Sequence, residues 1–200
     1  MYSIKKIFLL LFILTSSSVF GENGPWKLEK NEEGIKVYTR TVEGEDIREF
    51  KALMTVNTPR KTVAEIVVNI NDYPNWYPDI TKANILKKVS ANEFHVYNVI
   101  DLPWPATDRD GVSKMTIIKD ENSTTIKIKS ISGVKAVEDE YIRITNSYGF
   151  WKFTTKGDQT EVQFQYFASP AGSLPDWMIN MFIVDNPFQT FQILKEKVEG

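Results

Sequence analysis

The 200-residue chain contains no cysteine and only one histidine, His95. Without thiols it can form no disulfide framework, no zinc–thiolate site and no thiol nucleophile. A lone histidine also favours a surface residue over a member of a catalytic triad or of a histidine-rich metal site. Neither a Gly-x-Ser-x-Gly sequence nor a glycine-rich phosphate-binding loop is present. We therefore expect that the protein uses no metal, nucleotide or other cofactor.

Long apolar runs are also lacking, apart from a short one at the N-terminus. Lys5 and Lys6 precede an unbroken apolar run over residues 7–14, and a serine-rich stretch then leads to Gly21. A membrane-spanning helix needs about 20 apolar residues, so this run is too short for an anchor. The layout is typical of a secretory signal peptide. We predict that residues 1–21 are removed and that the protein is secreted, or periplasmic in a Gram-negative host.

The chain has no excess of positive charge. It carries 24 basic and 26 acidic side chains. Without residues 1–21, which contain two lysines and no acid, 22 basic and 26 acidic side chains remain, a net charge of −4. A mildly acidic chain with interspersed charges is a poor nucleic-acid binder, and it is not expected to bind anionic lipid surfaces by electrostatic attraction. We expect no nucleic-acid partner, at most transient contact with a membrane surface, and a monomer.

Linkers, repeats and low-complexity segments are absent from residues 22–200, which we interpret as one domain. Apolar and polar residues alternate in many segments, which indicates β-strands. Within one of them, Phe94, Val96, Asn98 and Ile100 share a face, and His95, Tyr97 and Val99 share the other. The predicted strands cover residues 35–39, 47–56, 94–100, 111–118, 124–131, 140–145, 150–155 and 162–167. Their regular spacing favours an antiparallel sheet.

Two helices interrupt this pattern. The first is predicted to have Thr58 as N-cap and Pro59 at its first position, and to end at residues 71–74. Its apolar stripe consists of Val63, Ile66, Val67 and Ile70.

The second helix lies at the C-terminus. Ser173 and Pro175 open it, and Pro187 should kink it or split it in two. Its apolar residues are Trp177, Met178, Met181, Phe182, Phe188, Phe191, Leu194 and Val198. A long curved antiparallel sheet can wrap such a helix and leave a cavity beneath it, so we predict an α+β fold.

Four motifs in order resemble those of START lipid-transfer domains. They are Asp-Tyr-Pro-Asn-Trp-Tyr-Pro-Asp at 72–79, Leu-Pro-Trp-Pro-Ala-Thr-Asp-Arg-Asp at 102–110, Tyr-Gly-Phe-Trp at 148–151, and Ser-Pro-Ala-Gly-Ser-Leu-Pro-Asp-Trp at 169–177. The resemblance spans residues 24–198. It implies a helix-grip fold of the SRPBCC superfamily, with an internal apolar cavity that binds a lipid, a sterol or another apolar small molecule.

One difference between this sequence and the pattern of START domains concerns ligand specificity. Cholesterol-binding members of that family hold a pair of opposite charges inside the cavity. The matching positions in this chain are Asn98 and Met115, so the pair is absent. The resemblance therefore does not predict sterol as the ligand.

The family's cavity suggests which residues contact a ligand. Trp76 and Tyr77 either form a gate of rings over the cavity mouth or pack the first helix against the sheet. The methionines and aromatic residues of the C-terminal helix either line the cavity or belong to an ordinary core. The ligand-binding candidates are Trp76, Tyr77, Phe94, Val96, Asn98, Arg109, Met115, Trp177 and Met181.

Arg109 lies between Asp108 and Asp110, and on a strand the two acids point away from the arginine. We favour a cluster of salt bridges that fixes the preceding loop. Two alternatives remain. The acid pair can support hydrolysis, as in glycosidases, or Arg109 can point into the cavity and bind a ligand head group, since an unpaired buried charge is costly.

The sequence thus favours a binding or transfer protein without enzymatic activity. An alternative is an enzyme similar to the cyclases and aromatases of the same superfamily, for which Tyr97, Asp108 and Tyr141 are the candidate acids and bases. A structural or protein-binding module is a third possibility. A lipid that co-purifies with the protein is expected only for the first of the three.

Overall fold

The computed structural model describes residues 23–200, so the predicted signal peptide lies outside the described residues. Ten strands dominate this part of the chain. They are β1 (Lys27–Glu32), β2 (Ile35–Arg40), β3 (Glu49–Val56), β4 (Ile80–Lys88), β5 (Glu93–Ile100), β6 (Arg109–Lys119), β7 (Ser123–Ser130), β8 (Ile142–Ile144), β9 (Asn146–Lys156) and β10 (Gln159–Ser169).

Helices occupy two places in the chain. The first is α1 (Arg60–Val68), followed by a 3₁₀ helix (Ile70–Asn75). The second is a composite C-terminal helix, made of α2 (Asp176–Asn180), a π-helical turn (Met181–Asp185) and α3 (Asn186–Glu199). None of the helices in the described residues is long and apolar enough to span a membrane.

The strands form one sheet in the order β1-β2-β3-β10-β9-β7-β6-β5-β4. All neighbours along this path pair antiparallel, and the N-terminal strands join the rest because β3 pairs with β10. The short β8 lies off the path and pairs parallel with β6. The predicted α+β helix-grip fold, with a long antiparallel sheet and a C-terminal helix, is confirmed.

The start of α1 differs from the prediction. Thr58 does not cap the helix with its side chain; Pro59 occupies the N-cap position instead. The Thr58 hydroxyl donates a hydrogen bond to the carbonyl oxygen of Val198 at 2.8 Å. The backbone carbonyl of Thr58 accepts a hydrogen bond from the Thr160 hydroxyl at 2.6 Å. Thr58 thus ties the start of α1 to the end of α3 and to β10.

Pro187 interrupts the C-terminal helix, as predicted. It lies in the first turn of α3, directly after the π-helical turn. Proline has no N–H to donate to the carbonyl four residues earlier, so the regular α-helical pattern cannot continue through this point. The helix changes its hydrogen bonding instead of ending.

The main core lies between the inner face of the sheet and the helices. Trp151 on β9 stacks on Phe164 of β10, with ring centroids 4.0 Å apart, and on Phe191 of α3, at 5.6 Å. A second, smaller cluster lies on the outer face of the sheet. We call it the outer cluster; its buried members are Tyr97, Val99 and Val112. The core thus fixes the C-terminal helix against the sheet.

Candidate cavity and its lining

A cavity of about 200 Å³ lies between the inner face of the sheet and the C-terminal helix. Its walls are mostly apolar and rich in aromatic rings, including Phe50, Tyr73, Trp151, Phe164 and Tyr166. The volume is below the roughly 300–1,000 Å³ that is typical of ligand sites. The arrangement can enclose an apolar molecule of modest size.

One edge of the sheet borders this cavity through its loops. The loops at residues 41–48, 101–108, 131–141 and 170–175 all leave the sheet at this edge, because β3 and β6 begin there and β5, β7 and β10 end there. We call it the mouth edge. Ile47, Arg48, Leu102, Pro170 and Leu174 from three of these loops line the cavity.

Strand β5 and its neighbour β6 form one wall. Val96, Asn98 and Ile100 line the cavity from β5, as the alternation predicts for that face, and Arg109, Ser113 and Met115 line it from β6. Phe94 does not line it; its side chain packs at the edge of the core, where it pairs with Met115 in register. Asn98 and Met115, the two positions that lack the charged pair, are both part of the wall.

The aromatic residues after α1 divide into two roles. Tyr77 lines the cavity, whereas Trp76 is buried behind it and does not. The rings of Tyr73, Trp76 and Tyr77 lie 5.4–5.5 Å apart and pack on one another. Burial raises the pKa of the Tyr77 hydroxyl well above its usual value, so it stays neutral. Trp76 therefore fits the packing alternative.

The C-terminal helix presents a different face from the predicted one. Ile179, Phe182 and Ile183 line the cavity. Met181 is half-buried outside the wall, and Trp177 is 55% exposed to solvent. The prediction drew on the methionines and aromatic residues of the helix, of which Phe182 does line the cavity, whereas the lining residues follow the spacing i, i+3, i+4 of a single helical stripe. The predicted placement of Trp177 and Met181 in the cavity wall is thus wrong.

The predicted salt-bridge cluster around Arg109 is also wrong, because neither neighbouring acid pairs with it. Asp110 is fully buried and accepts two hydrogen bonds from Arg143, both at 2.7 Å. Asp108 accepts a hydrogen bond from the backbone N–H of Leu102 at 3.0 Å. The expectation that this segment fixes the preceding loop still holds for Asp108.

Arg109 instead binds backbone carbonyl groups. Its Nε donates to the oxygen of Pro170 at 2.9 Å, Nη2 donates to that of Ala171 at 2.8 Å, and Nη1 donates to that of Thr107. The side chain is 3% exposed, and burial lowers the pKa of the guanidinium. Arg109 thus joins the β5–β6 loop to the segment between β10 and α2.

The three candidate acids and bases do not form a common group. The Tyr97 hydroxyl is buried without a hydrogen-bond partner, and burial raises its pKa, with a further contribution from Asp110. The Tyr141 hydroxyl accepts a hydrogen bond from Nζ of Lys82 at 2.7 Å, and Asp108 binds a backbone N–H. His95 lies half-exposed on the outer face of the sheet. Residues 23–200 contain no cluster of acids and histidine that could hold a metal ion.

Sequence reasoning missed several wall residues, notably Ser113 and Tyr166. Ser113 lies two residues before Met115, and Tyr166 two residues after Phe164. Since alternate residues of a strand share a face, Ser113 could have been predicted from Met115, which the resemblance placed in the cavity.

Comparisons with known proteins agree with this architecture. The START domain model matches residues 16–198. An uncharacterised protein of Pseudomonas aeruginosa is 31% identical over 198 residues, which cover 96% of this chain and 98% of that one.

Solved structures agree as well. A STAR-related lipid transfer protein from Xanthomonas axonopodis is 31% identical, with a TM-score of 0.80 over 88% of this chain and 99% of that one. An aromatase/cyclase from Streptomyces shares the fold alone, with 16% identity and a TM-score of 0.56 over 76% of this chain and 93% of that one. The chain belongs to the START domain family.

Proposed function

We propose that this START-family protein is exported and carries a lipid or another apolar small molecule in its cavity, without transforming it chemically. The observation that carries the proposal is the mostly apolar cavity between the sheet and the C-terminal helix. Interiors normally pack to near-crystal density with few voids, so a space lined by so many aromatic rings favours a ligand. Each CH₂ group that is buried contributes about 0.8 kcal/mol to binding. An apolar cavity that shields a lipid chain from water can therefore carry the lipid through an aqueous compartment.

The proposal of a carrier rather than an enzyme rests on the chemistry of the wall. General acid–base catalysis needs a titratable group within hydrogen-bond reach of the reacting atom. Tyr141 and Asp108 do not line the cavity, and each is engaged by another group. Tyr97 borders the cavity, but its buried hydroxyl lies beside Asp110 near the outer cluster. The wall thus supports binding better than proton transfer.

Transfer also requires contact with a membrane, and the mouth edge has suitable residues. Trp104 in the β5–β6 loop is 90% exposed, and Trp177 at the start of α2 is 55% exposed. Val137, in the loop between β7 and β8, is 61% exposed. Tryptophan is favoured at membrane–water interfaces, where one part of its ring system is apolar and the other can bind water. We propose that this edge touches the membrane when the ligand enters or leaves.

Mass spectrometry under native conditions tests the carrier proposal. Protein purified without detergent from its native host should carry an additional mass, which denaturation releases as an organic molecule rather than a metal. Purified protein stripped of this molecule should then bind a neutral apolar dye such as Nile red with a stoichiometry of one. A protein that carries no such mass and binds neither the dye nor any member of a broad lipid panel would refute the proposal.

A further inference from the structure

Three polar side chains of the cavity wall lie together on β5 and β6, while others, such as Arg48 and Asn186, come from other elements. Arg109 pairs in register with Ile100, Gly111 with Asn98, and Ser113 with Val96. Residues two apart on a strand share a face and lie about 7 Å from each other. Arg109, Asn98 and Ser113 therefore form a strip that runs inward from the mouth edge for roughly 13 Å. We call these three residues the polar strip.

Farther in, the wall becomes apolar. Met115 follows Ser113 on β6, and the facing surface is formed by Trp151, Phe164 and Ile179. The inner end of the cavity is thus aromatic and aliphatic, and the polar strip lies nearer the mouth edge, next to the apolar loop residues that also line the cavity there. A molecule that matches the cavity is amphiphilic, with its polar group towards the mouth edge and its chain towards the aromatic rings.

The charge of Arg109 is not balanced by an acid. No carboxylate of the residues that the structure describes lies within 4.0 Å of its guanidinium, since Asp110 pairs with Arg143 and Asp108 binds the backbone of Leu102. Three of its N–H groups donate to carbonyl oxygens, which leaves two of the five that a guanidinium carries. A buried positive charge without a counter-ion is costly, and an anion at this place relieves that cost.

Asn98 and Ser113 add hydrogen-bonding capacity to the same strip. Both side chains line the cavity. The amide of Asn98 offers two N–H donors and the hydroxyl of Ser113 offers one O–H donor. Together with Arg109 they form a set in which every member can donate, and such a set suits an anionic group with several acceptor oxygens.

The size of the cavity limits the apolar part. A volume of about 200 Å³ is small beside the roughly 300–1,000 Å³ of ordinary ligand sites. It suits one short chain or a small ring system, and a lipid with two acyl chains requires the walls to move apart.

We propose that the ligand is a single-chain amphiphile whose anionic head, of the carboxylate type, binds the polar strip, while its chain occupies the aromatic end of the cavity. This inference rests on the proposed carrier function and specifies its ligand class. The sequence alone left the role of Arg109 open between a loop cluster and a head-group site. The guanidinium of Arg109 holds the loops through hydrogen bonds to their carbonyl groups. The same side chain lines the cavity, and its positive charge has no acidic partner there within the described part of the chain.

Displacement of Nile red from the wild-type protein by three chain-matched compounds tests the inference. Decanoate, decanamide and decanol share one chain and differ in the head group. At about pH 8 the acid is ionised, and decanoate should bind at least about ten-fold more tightly than the amide or the alcohol, because hydrogen bonds that involve a charged group are roughly twice as strong as neutral ones.

Substitutions in the polar strip test whether the head group of the ligand binds there. Asn98→Leu and Ser113→Ala should each weaken decanoate about five- to ten-fold, as expected for the loss of one hydrogen bond, and should affect decanol much less. Thr116→Ala, on the outer face of β6, is the matched control and should leave both affinities unchanged. Arg109→Lys keeps the charge and should retain the preference for decanoate, whereas Arg109→Gln should abolish it; a thermal melt of each variant verifies that it is folded.

The outcomes separate the two proposals. If decanol and decanamide bind as tightly as decanoate, or if the Asn98 and Ser113 variants bind decanoate like the wild type, the anionic head at the polar strip is refuted while the carrier function stands. If neither Nile red nor any of the three compounds binds, and a broad lipid panel fails as well, the carrier function itself is refuted.

Discussion

Val96 and Val99 lie on the same strand but face opposite sides of the sheet. Val96 lines the cavity, and Val99 belongs to the outer cluster. We expect Val96→Phe to fill part of the cavity, so that the free energy of unfolding changes little while binding of apolar ligands falls strongly. Val99→Phe should instead overpack the outer cluster and lower the free energy of unfolding by about 1–3 kcal/mol, with ligand binding preserved.

Urea denaturation and Nile red titration of the two variants provide the measurement. The chemical change is identical, so each variant controls for the other. If both variants lose the same stability and retain binding, the space next to Val96 is ordinary core rather than a binding cavity.

At the scale of single residues, the sequence identified part of the wall. Tyr77, Val96, Asn98, Arg109 and Met115 line the cavity, as the resemblance implied for their positions. Apart from Phe94, which lies too far from the mouth edge, the strand residues were placed well because a period of two leaves only two faces. Helical residues were placed poorly because a helix has many possible phases, and a π-helical turn next to Pro187 changes the phase again.

Gly149 shows how a single atom limits the pairing of two strands. A Cβ atom at this position would clash with the carbonyl oxygen of Gln165 on β10 and lie 2.6 Å from Cδ2 of Tyr166. We expect Gly149→Ala to push β9 away from β10 and to destabilise the fold by about 3 kcal/mol, at the upper end of the usual cost of overpacking. The melting temperature measured by circular dichroism should fall accordingly.

Gly111 on β6 is the matched control for this change. The nearest atom to its added Cβ, Oδ1 of Asn98, lies 3.4 Å away, which is an ordinary van der Waals contact. Gly111→Ala should therefore leave the melting temperature nearly unchanged. Equal losses for the two variants would contradict a specific close approach at Gly149.

At the scale of elements, the alternation of apolar and polar residues predicted the inner strands of the sheet but not its two edge strands. β1 and β4 form the two edges of the sheet, and neither was predicted. Register shifts interrupt β4 between Ile80 and Lys82 and between Ile85 and Lys87, which breaks the period of two. The short β8 was predicted, but its parallel pairing with β6 was not, because pairing partners depend on tertiary contacts.

At the scale of the whole molecule, the mouth edge should determine how fast the ligand is transferred. We expect the double variant Trp104→Ala with Trp177→Ala to transfer a fluorescent lipid between vesicles several-fold more slowly, because it loses the two rings suited to the interface. The equilibrium affinity for the ligand should not change. Leu28→Ala removes a residue of β1 that is 47% exposed and should transfer at the wild-type rate.

Stopped-flow fluorescence with donor and acceptor vesicles measures this rate. A double variant that transfers at the wild-type rate would contradict membrane contact through the mouth edge, and one that also loses affinity would indicate damage to the cavity instead.

Export predicts a defined N-terminus. We expect N-terminal sequencing of the protein from its native host to begin near Glu22, since the segment up to Gly21 has the layout of a signal peptide. A precursor with Gly21→Arg should accumulate uncleaved, because signal peptidases accept small residues at this point. Cytoplasmic protein that still begins with Met1 would contradict the proposal.

The pairing of β3 with β10 has a consequence for the time at which the protein can fold. Phe50 pairs with Tyr166, and Val56 with Thr160, so β3 can pair with β10 only after most of the chain has been made, although β1, β2 and β3 can pair with one another earlier. Contacts between such distant segments slow folding, and a partly synthesised chain cannot complete its sheet. The proposed export would benefit from this delay, since an exported polypeptide must remain unfolded while it passes through a membrane and this topology postpones the native state until the last third of the chain has emerged.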